Sequence, residues 1–256
     1  MTVLAQIKDL AYQSLLYRGY VRVRWWWLGV FVAPRTTALT VHGVQLDLHG
    51  VPLRMREFIL RGKYEEYERE CCQLHLTAED TVLELGGAIG FIGLYCQKRL
   101  GITRYVTVEA NPQTVGLLRR NYEVNGLVPQ VLTCAVGGHD GTVKLHASAE
   151  FWRDSTEEAS GCADEREIEV RAATLPALLG EIGFRPTVLI IDIEGAERHI
   201  DFRAVPAEVK KIILETHPRA IGVEATYHVL GTLVGLGFGV VAQRKDVFVL
   251  LRREPA

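Results

Sequence analysis

The sequence predicts an α/β protein built on a mostly parallel sheet, with an α+β extension at its N-terminus. Three observations carry that expectation. Thr81–Leu94, TVLELGGAIGFIGL, reads as a buried strand, a glycine-rich turn and the start of a helix. Tyr105–Pro112, YVTVEANP, reads as a second buried strand ending in an acid, Glu109. From Asp80 onward strand and helix patterns alternate, which implies right-handed crossovers between parallel strands.

The extension is expected over residues 1–78 and the main domain over 79–256. Leu4, Ile7, Leu10, Ala11, Ser14 and Leu15 recur at helical spacing and predict an amphipathic helix over Val3–Tyr17. Val21–Val32 is rich in β-branched and aromatic residues, which predicts a buried strand or the packing face of a cap. Ala38–Leu48 predicts strands around a His42-Gly43 turn, and Met55–Leu76 a helix in two pieces broken near Gly62.

In the main domain the expected strands are Val82–Leu85, Tyr105–Val108, Val131–Val136, Val188–Ile191 and Lys211–Leu214. Helices are expected over Gly90–Leu100, Pro112–Asn125, Leu175–Gly183 and Tyr227–Leu236; Pro112 suits a first helical turn. Thr142–Ala147 reads as part of a hairpin, and the polar stretch Phe151–Glu165 as a loop whose Trp152 and Arg153 could cover an acceptor such as a sugar. Val240–Gln243 and Val247–Leu251 form a closing pair that puts an antiparallel strand into the sheet.

Composition narrows the function classes. A hydrophobic fraction of 48% is ample for a core, and 29 basic against 31 acidic residues leave no electrostatic footprint for nucleic acid. The five cysteines are odd in number and lack a C-x-x-C pair, against a disulfide framework or a zinc site. A reducing cytosol fits them. Met1–Asp9 lacks the pattern of a secretory signal, and no apolar run reaches the roughly 18 residues of a membrane span. The expected location is cytoplasmic. Trp25–Pro34 is too short to span, but Arg18, Arg22 and Arg24 beside three tryptophans make peripheral membrane contact the alternative to burial.

The glycine turn does not fit a dinucleotide. G-x-G-x-x-G is absent, and the turn reads E-L-G-G-A-I-G, with Glu84 at the strand end and glycines at 86, 87 and 90. A carboxylate there opposes a pyrophosphate, which needs amides free of competing negative charge. It suits the sulfonium and ammonium of S-adenosylmethionine, and the glycines let the backbone approach the amino-acid portion. Glu109 is then the acceptor for two ribose hydroxyls. Ala110 and the backbone of Ala135–Val136 border the adenine. No G-x-x-x-x-G-K-[ST] is present, so a P-loop is excluded.

With these residues in view the chain resembles the FkbM-type methyltransferases, within the S-adenosylmethionine-dependent class. Gly62-Lys63-Tyr64-Glu65 looks like the family's G-x-Y-E segment, and Thr81–Gly90 like its D-x-G-A-N-x-G strand motif. Glu109-Ala110-Asn111-Pro112 is similar to its E-P-N-P, Asn121–Leu127 to its N-x-x-x-N-G-L, and Ala135–Gly141 to its A-x-G-x-x-x-G. Asp192–Glu197, DIEGAE, resembles D-V-E-G-A-E and is the most specific piece. The resemblance runs from about Gly62 to Pro218. Glu84 stands where Asp is usual, and Gly87-Ala88 replaces Ala-Asn. It implies a Rossmann-like class I fold with a seven-stranded sheet, and it adds Glu65, Gly87 and Asn111 to the residues expected at the cofactor.

Asp192 ends the fourth strand, where the crevice of such sheets lies, and Glu194 faces the same way while the chain stays extended. An acid pair there can supply a general base, and His217 after the fifth strand is a second base candidate. Asp192 also serves as a cofactor-positioning residue. A divalent ion held by Asp192, Glu194 and His217 is an alternative, because hard oxygen donors suit magnesium, but the set lacks a diagnostic spacing and no resident metal is expected. D-I-E-G at the fourth strand's end differs from the [DN]-P-P-[YFW] used for nucleobase amino groups, and no Pro-Cys pair exists for cytosine chemistry. The resemblance implies O-methylation of a small molecule or glycan. The alternatives are a peptide or lipid-linked acceptor, or a non-catalytic cofactor-binding module. The oligomeric state is not legible.

Overall fold

The computed structural model describes residues 15–147 and 166–253, which form two compact units. The helix expected over Val3–Tyr17 lies largely, and the loop Phe151–Glu165 wholly, outside the described residues.

The first unit holds residues up to 39 and 48–64. Its main element is α1, Leu15–Trp27, which runs on through a π-helical turn at Leu28–Val32 and a 3-10 turn at Ala33–Arg35. The strand expectation for Val21–Val32 is therefore corrected to helix. Val21, Trp25, Leu28, Gly29, Val32 and Ala33 recur at helical spacing and are the positions turned inward, so tertiary packing overrides the β propensity of the valines and aromatics. Helix α2, Leu53–Leu60, packs against this segment. A Cβ on Gly29 would lie 2.6 Å from Glu57 Oε1, so glycine sets that approach, while Trp25 stacks on the Arg61 guanidinium at 4.9 Å.

The second unit holds 40–47 and everything from Glu65 onward. Strands β1, Ala38–Val41, and β2, Val44–Asp47, pair across His42-Gly43, both at positive φ as a type I′ turn requires. Helix α3, Glu66–His75, read with the extension from sequence, packs here against α4 (Phe91–Arg99) and the sheet.

The central sheet has seven strands. Five are parallel: β3 Thr81–Leu85, β4 Arg104–Glu109, β5 Gln130–Thr133, β9 Val188–Ile191 and β10 Lys211–Glu215. The hairpin of β11, Phe238–Arg244, and β12, Val247–Arg252, closes it antiparallel, in the order β11-β12-β10-β9-β3-β4-β5. This is the expected Rossmann-like class I sheet. Leu83, Leu85, Val108, Leu189, Ile191 and Leu214 share one core cluster.

Helix α5, Pro112–Val124, is capped by Asn111, whose side chain accepts from the Gln113 N–H. Asn121 and its C-cap Asn125, one turn apart, bind β2. Asp47 N–H donates to Asn121 Oδ1 at 2.7 Å, and Gln45 and Asn125 exchange a hydrogen-bond pair.

The third expected strand, Val131–Val136, is two. After β5 the chain turns at Cys134, and β6, Ala135–Val136, joins a separate sheet ordered β6-β8-β7. In it β7, Gly141–Ala147, pairs antiparallel with β8, Arg166–Ala173. The sequence reading did not include β8, although its charged residues alternate with Ile168, Val170 and Ala172 at the two-residue period of a half-buried strand. Helix α6 spans Leu175–Glu181, and α7 spans Pro218–Gly235 with a break at Gly222.

Candidate active site

A cleft partly open to solvent lies at the C-terminal ends of β3, β4 and β9. Gly86, Glu109, Ala110, Ala135, Val136 and Asp192 all line it, as do Ala88, Leu145, Ile193 and Glu194.

The glycine turn forms one wall. Gly86, at φ +89°, donates its N–H to Val108 O, and a Cβ there would lie 1.6 Å from the Asp192 carbonyl oxygen. Only glycine permits that approach of the β3 and β9 ends. Gly87 and Gly90 serve packing behind the cleft: a Cβ on Gly87 would lie 1.9 Å from Thr107 Cγ2, and one on Gly90 would crowd Leu118 and Tyr122.

Glu109 is fixed from both sides. The Ala88 N–H donates to Oε2 and the Asn111 N–H to Oε1, each at 2.9 Å. Asn111 thus acts through its backbone, while its own side chain is 3% exposed and spent on the cap.

Glu84 is placed differently from the sequence expectation. It is 2% exposed, accepts from the Thr107 hydroxyl at 2.7 Å, and does not line the cleft. Burial pushes its carboxyl up to about 8, against the lowering effect of the Thr107 hydrogen bond. Set off the cleft, with burial favouring its neutral form, Glu84 does not present charge to a sulfonium bound there. Glu65 is also apart from the cleft, at the left-handed N-cap of α3 with φ 46°.

The expected acids and histidine do come together. His217 Nε2 lies 3.3 Å from Asp192 Oδ1 and 3.5 Å from Glu194 Oε2. On the ring's other edge Nδ1 lies 3.3 Å from Glu197 Oε1. Glu197 is fully buried and also accepts from the backbone N–H groups of Gly195 and His217, at 2.8 and 3.0 Å. Burial alone would lower the His217 pKa, but the Asp192 and Glu197 carboxylates against its two ring nitrogens, together with the Glu194 charge, push it up to about 12. Burial raises Glu197, yet the bonds and charge of His217 outweigh it and hold its carboxyl below the ordinary value. Behind this group burial, then the Asp192 charge, pushes Glu215 up, and the same two causes raise Glu68.

His217 does not line the cleft, and its Nε2 is occupied by Asp192 and Glu194, whose charges favour the protonated ring, so it stands as a charged anchor between the two acids rather than as the base. One donor atom from each of Asp192, Glu194 and His217 falls within 4.8 Å of the others, so this trio could hold a cation once Nε2 gives up its proton. The sequence reading did not assign roles to Glu68, Glu197 and Glu215. The motif DIEGAE contained Glu197, but only the fold shows that it meets His217.

Residues 84–238, well over half the chain, match the family model described as the methyltransferase FkbM domain. The chain belongs to the FkbM methyltransferase family. Among solved structures, this FkbM-family methyltransferase is similar to methyltransferase FkbM from Methylobacillus flagellatus KT, at 13% identity and a TM-score of 0.45, covering 78% of this chain and 54% of that one. It is also similar to precorrin-6y C5,15-methyltransferase from Geobacter metallireducens GS-15, at 14% identity and TM-score 0.45, covering 75% and 89%. Cofactor-bound Rv0187 from MTB is 18% identical with a TM-score of 0.47, covering 73% and 79%. A search among curated proteins finds no sequence match. Membership makes the protein an S-adenosylmethionine-dependent methyltransferase by family. The cleft suits that cofactor: a carboxylate fixed by two backbone amides faces it, beside the apolar surface of Ala110, Ala135 and Val136. No helix among the described residues is long and apolar enough to cross a membrane.

Proposed function

We propose that this methyltransferase methylates a hydroxyl of a small molecule or glycan, with Asp192 taking the hydroxyl proton. One arrangement supports the reading: Asp192 and Glu194 line the same cleft as Glu109, and His217 holds both acids from behind. When bound, S-adenosylmethionine supplies a methyl carbon activated by its sulfonium. Glu109, with its plane fixed by the Ala88 and Asn111 amides, is the acceptor for the ribose diol. Gly86 brings the turn against the Asp192 backbone, which fixes the acid relative to the cofactor wall. A hydroxyl is a weak nucleophile until its proton leaves, and Asp192 is the carboxylate that lines the cleft next to that wall. The His217 cation offsets the negative charge gathered around it and keeps the acid pair in place.

Transfer of a labelled methyl group from S-adenosylmethionine to a panel of sugars, phenols and amines tests the proposal. Hydroxyl acceptors are expected to turn over. Asp192→Asn should lower kcat by about 10²–10⁴-fold, with affinity for S-adenosylhomocysteine within about threefold. Turnover of amines with no hydroxyl acceptor would overturn it, as would a fully active Asp192→Asn.

A further inference from the structure

We propose that the N-terminal helical unit docks on an anionic membrane surface through an exposed aromatic stripe on α1 and the arginines beside it. The stripe follows the helix. Tyr20, Val23, Trp27 and Val30 recur at intervals of three and four, and Trp26 and Phe31 widen the face. All six are exposed: Tyr20 and Trp26 at 61%, Trp27 at 53% and Phe31 at 42%. Ring contacts join Trp26 to Phe31 at 5.9 Å and Trp27 to Phe31 at 6.2 Å, so these side chains form one patch. Every exposed tryptophan or phenylalanine among the described residues belongs to this unit. Leaving so much aromatic surface in water on one short segment is unfavourable, and a contiguous patch marks an interaction site.

Charge decides the partner. Residues 15–39 and 48–64 carry eight Lys and Arg against a single acid, Glu57, while the whole chain is net −2. Glu57 is itself paired with Arg61 at 3.2 Å. Arg22, Arg24 and Arg35 are exposed alongside the stripe. Basic side chains flanking a tryptophan-rich helix face match a lipid interface that is negative outside and apolar a few ångströms below. The inward set, with Trp25 on Arg61, anchors the helix in its unit and leaves the outer face to be covered. A second copy of the chain would bring two sets of like charges together, which disfavours that occupant. Single-stranded nucleic acid could use the arginines and rings, but the aliphatic Val23 and Val30 in mid-stripe give a base nothing to stack on and suit hydrocarbon. The helix is not a span, so it lies along the surface.

Co-sedimentation of the full chain with vesicles of phosphatidylcholine alone, and of phosphatidylcholine mixed equally with phosphatidylglycerol, tests the proposal. Partitioning is expected to be at least about tenfold stronger with phosphatidylglycerol and to weaken with added salt. The Trp26→Ser/Phe31→Ser double variant and the Arg22→Gln/Arg24→Gln double variant should each lower it by about tenfold. An unchanged far-UV helix signal and an unchanged protease-cleavage pattern over residues 15–64 in both variants serve as the folding control. Wild-type protein that stays in the supernatant with both vesicle types would overturn the proposal. So would binding unaffected by either variant. A lipid-independent dimer lost in Trp26→Ser/Phe31→Ser would assign the face to a second copy, and an oligonucleotide that binds more tightly than the anionic vesicles would assign it to nucleic acid.

Discussion

His217 and Glu197 are joined twice: the His217 backbone N–H donates to Glu197 Oε1 at 3.0 Å, and the ring Nδ1 lies 3.3 Å from the same oxygen. This buried acid ties the end of β10 to the loop after β9, because its other oxygen accepts the Gly195 N–H. The loop carries Asp192 and Glu194, so Glu197 sets where the two cleft acids stand. Glu197→Ala would strand a buried cation and two amide donors, and should cost about 3–5 kcal/mol in urea denaturation. Glu197→Gln satisfies one amide but not both, and is expected to cost about 1–3 kcal/mol.

His217 should remain an imidazolium through neutral pH. Ring chemical shifts by NMR are expected to show no titration near 6.5, since the folded pKa is pushed up to about 12. The sign for stability follows from linkage. A folded pKa above the unfolded one gives stability that is fully present below about 6.5 and declines as pH rises toward the folded value. The margin of wild type over His217→Gln should therefore shrink steadily between neutral and alkaline pH in urea melts.

Glu84 predicts a slope of the same sign in a lower window. Its folded pKa of about 8 exceeds the ordinary 4.5, so the folded state holds a proton that the unfolded chain releases between those values. Stability falls as pH rises across that window. Glu84→Gln keeps a neutral acceptor for the Thr107 hydroxyl and should flatten the slope, gaining about 2–4 kcal/mol over wild type at pH 8.

Gly87 and Thr107 should be energetically coupled. Gly87→Ala would place a methyl 1.9 Å from Thr107 Cγ2, for a cost of about 1–3 kcal/mol. Thr107→Ser removes that methyl and keeps the hydroxyl on Glu84. The double variant should recover most of the loss, with a coupling of at least about 1 kcal/mol in a double-mutant cycle. Additive losses would show that the turn relaxes elsewhere.

Glu109→Ala should weaken S-adenosylhomocysteine at least about tenfold by calorimetry, because it removes the carboxylate that the Ala88 and Asn111 amides fix in the cleft wall. An unchanged affinity would remove Glu109 as the ribose anchor.

The sequence by itself determined the sheet and its crevice. The buried strands are short apolar runs closed by glycine or acid, a pattern set by local chemistry, and motif order then placed Gly86, Glu109 and Asp192 at strand ends. Tertiary structure alone decided what side chains do once they meet. Glu84 reads as a cleft acid, yet strand alternation turns it toward Thr107 and Tyr105, where burial neutralises it. His217 reads as a base, but Asp192, Glu194 and Glu197, all on the loop after β9 and about twenty residues away in sequence, make it a cation. Val21–Val32 reads as a strand because propensity is local, whereas Gly29 against Glu57 and Trp25 on Arg61 favour a helix. Charge states and packing partners depend on distances between remote residues, and no one-dimensional pattern contains those distances.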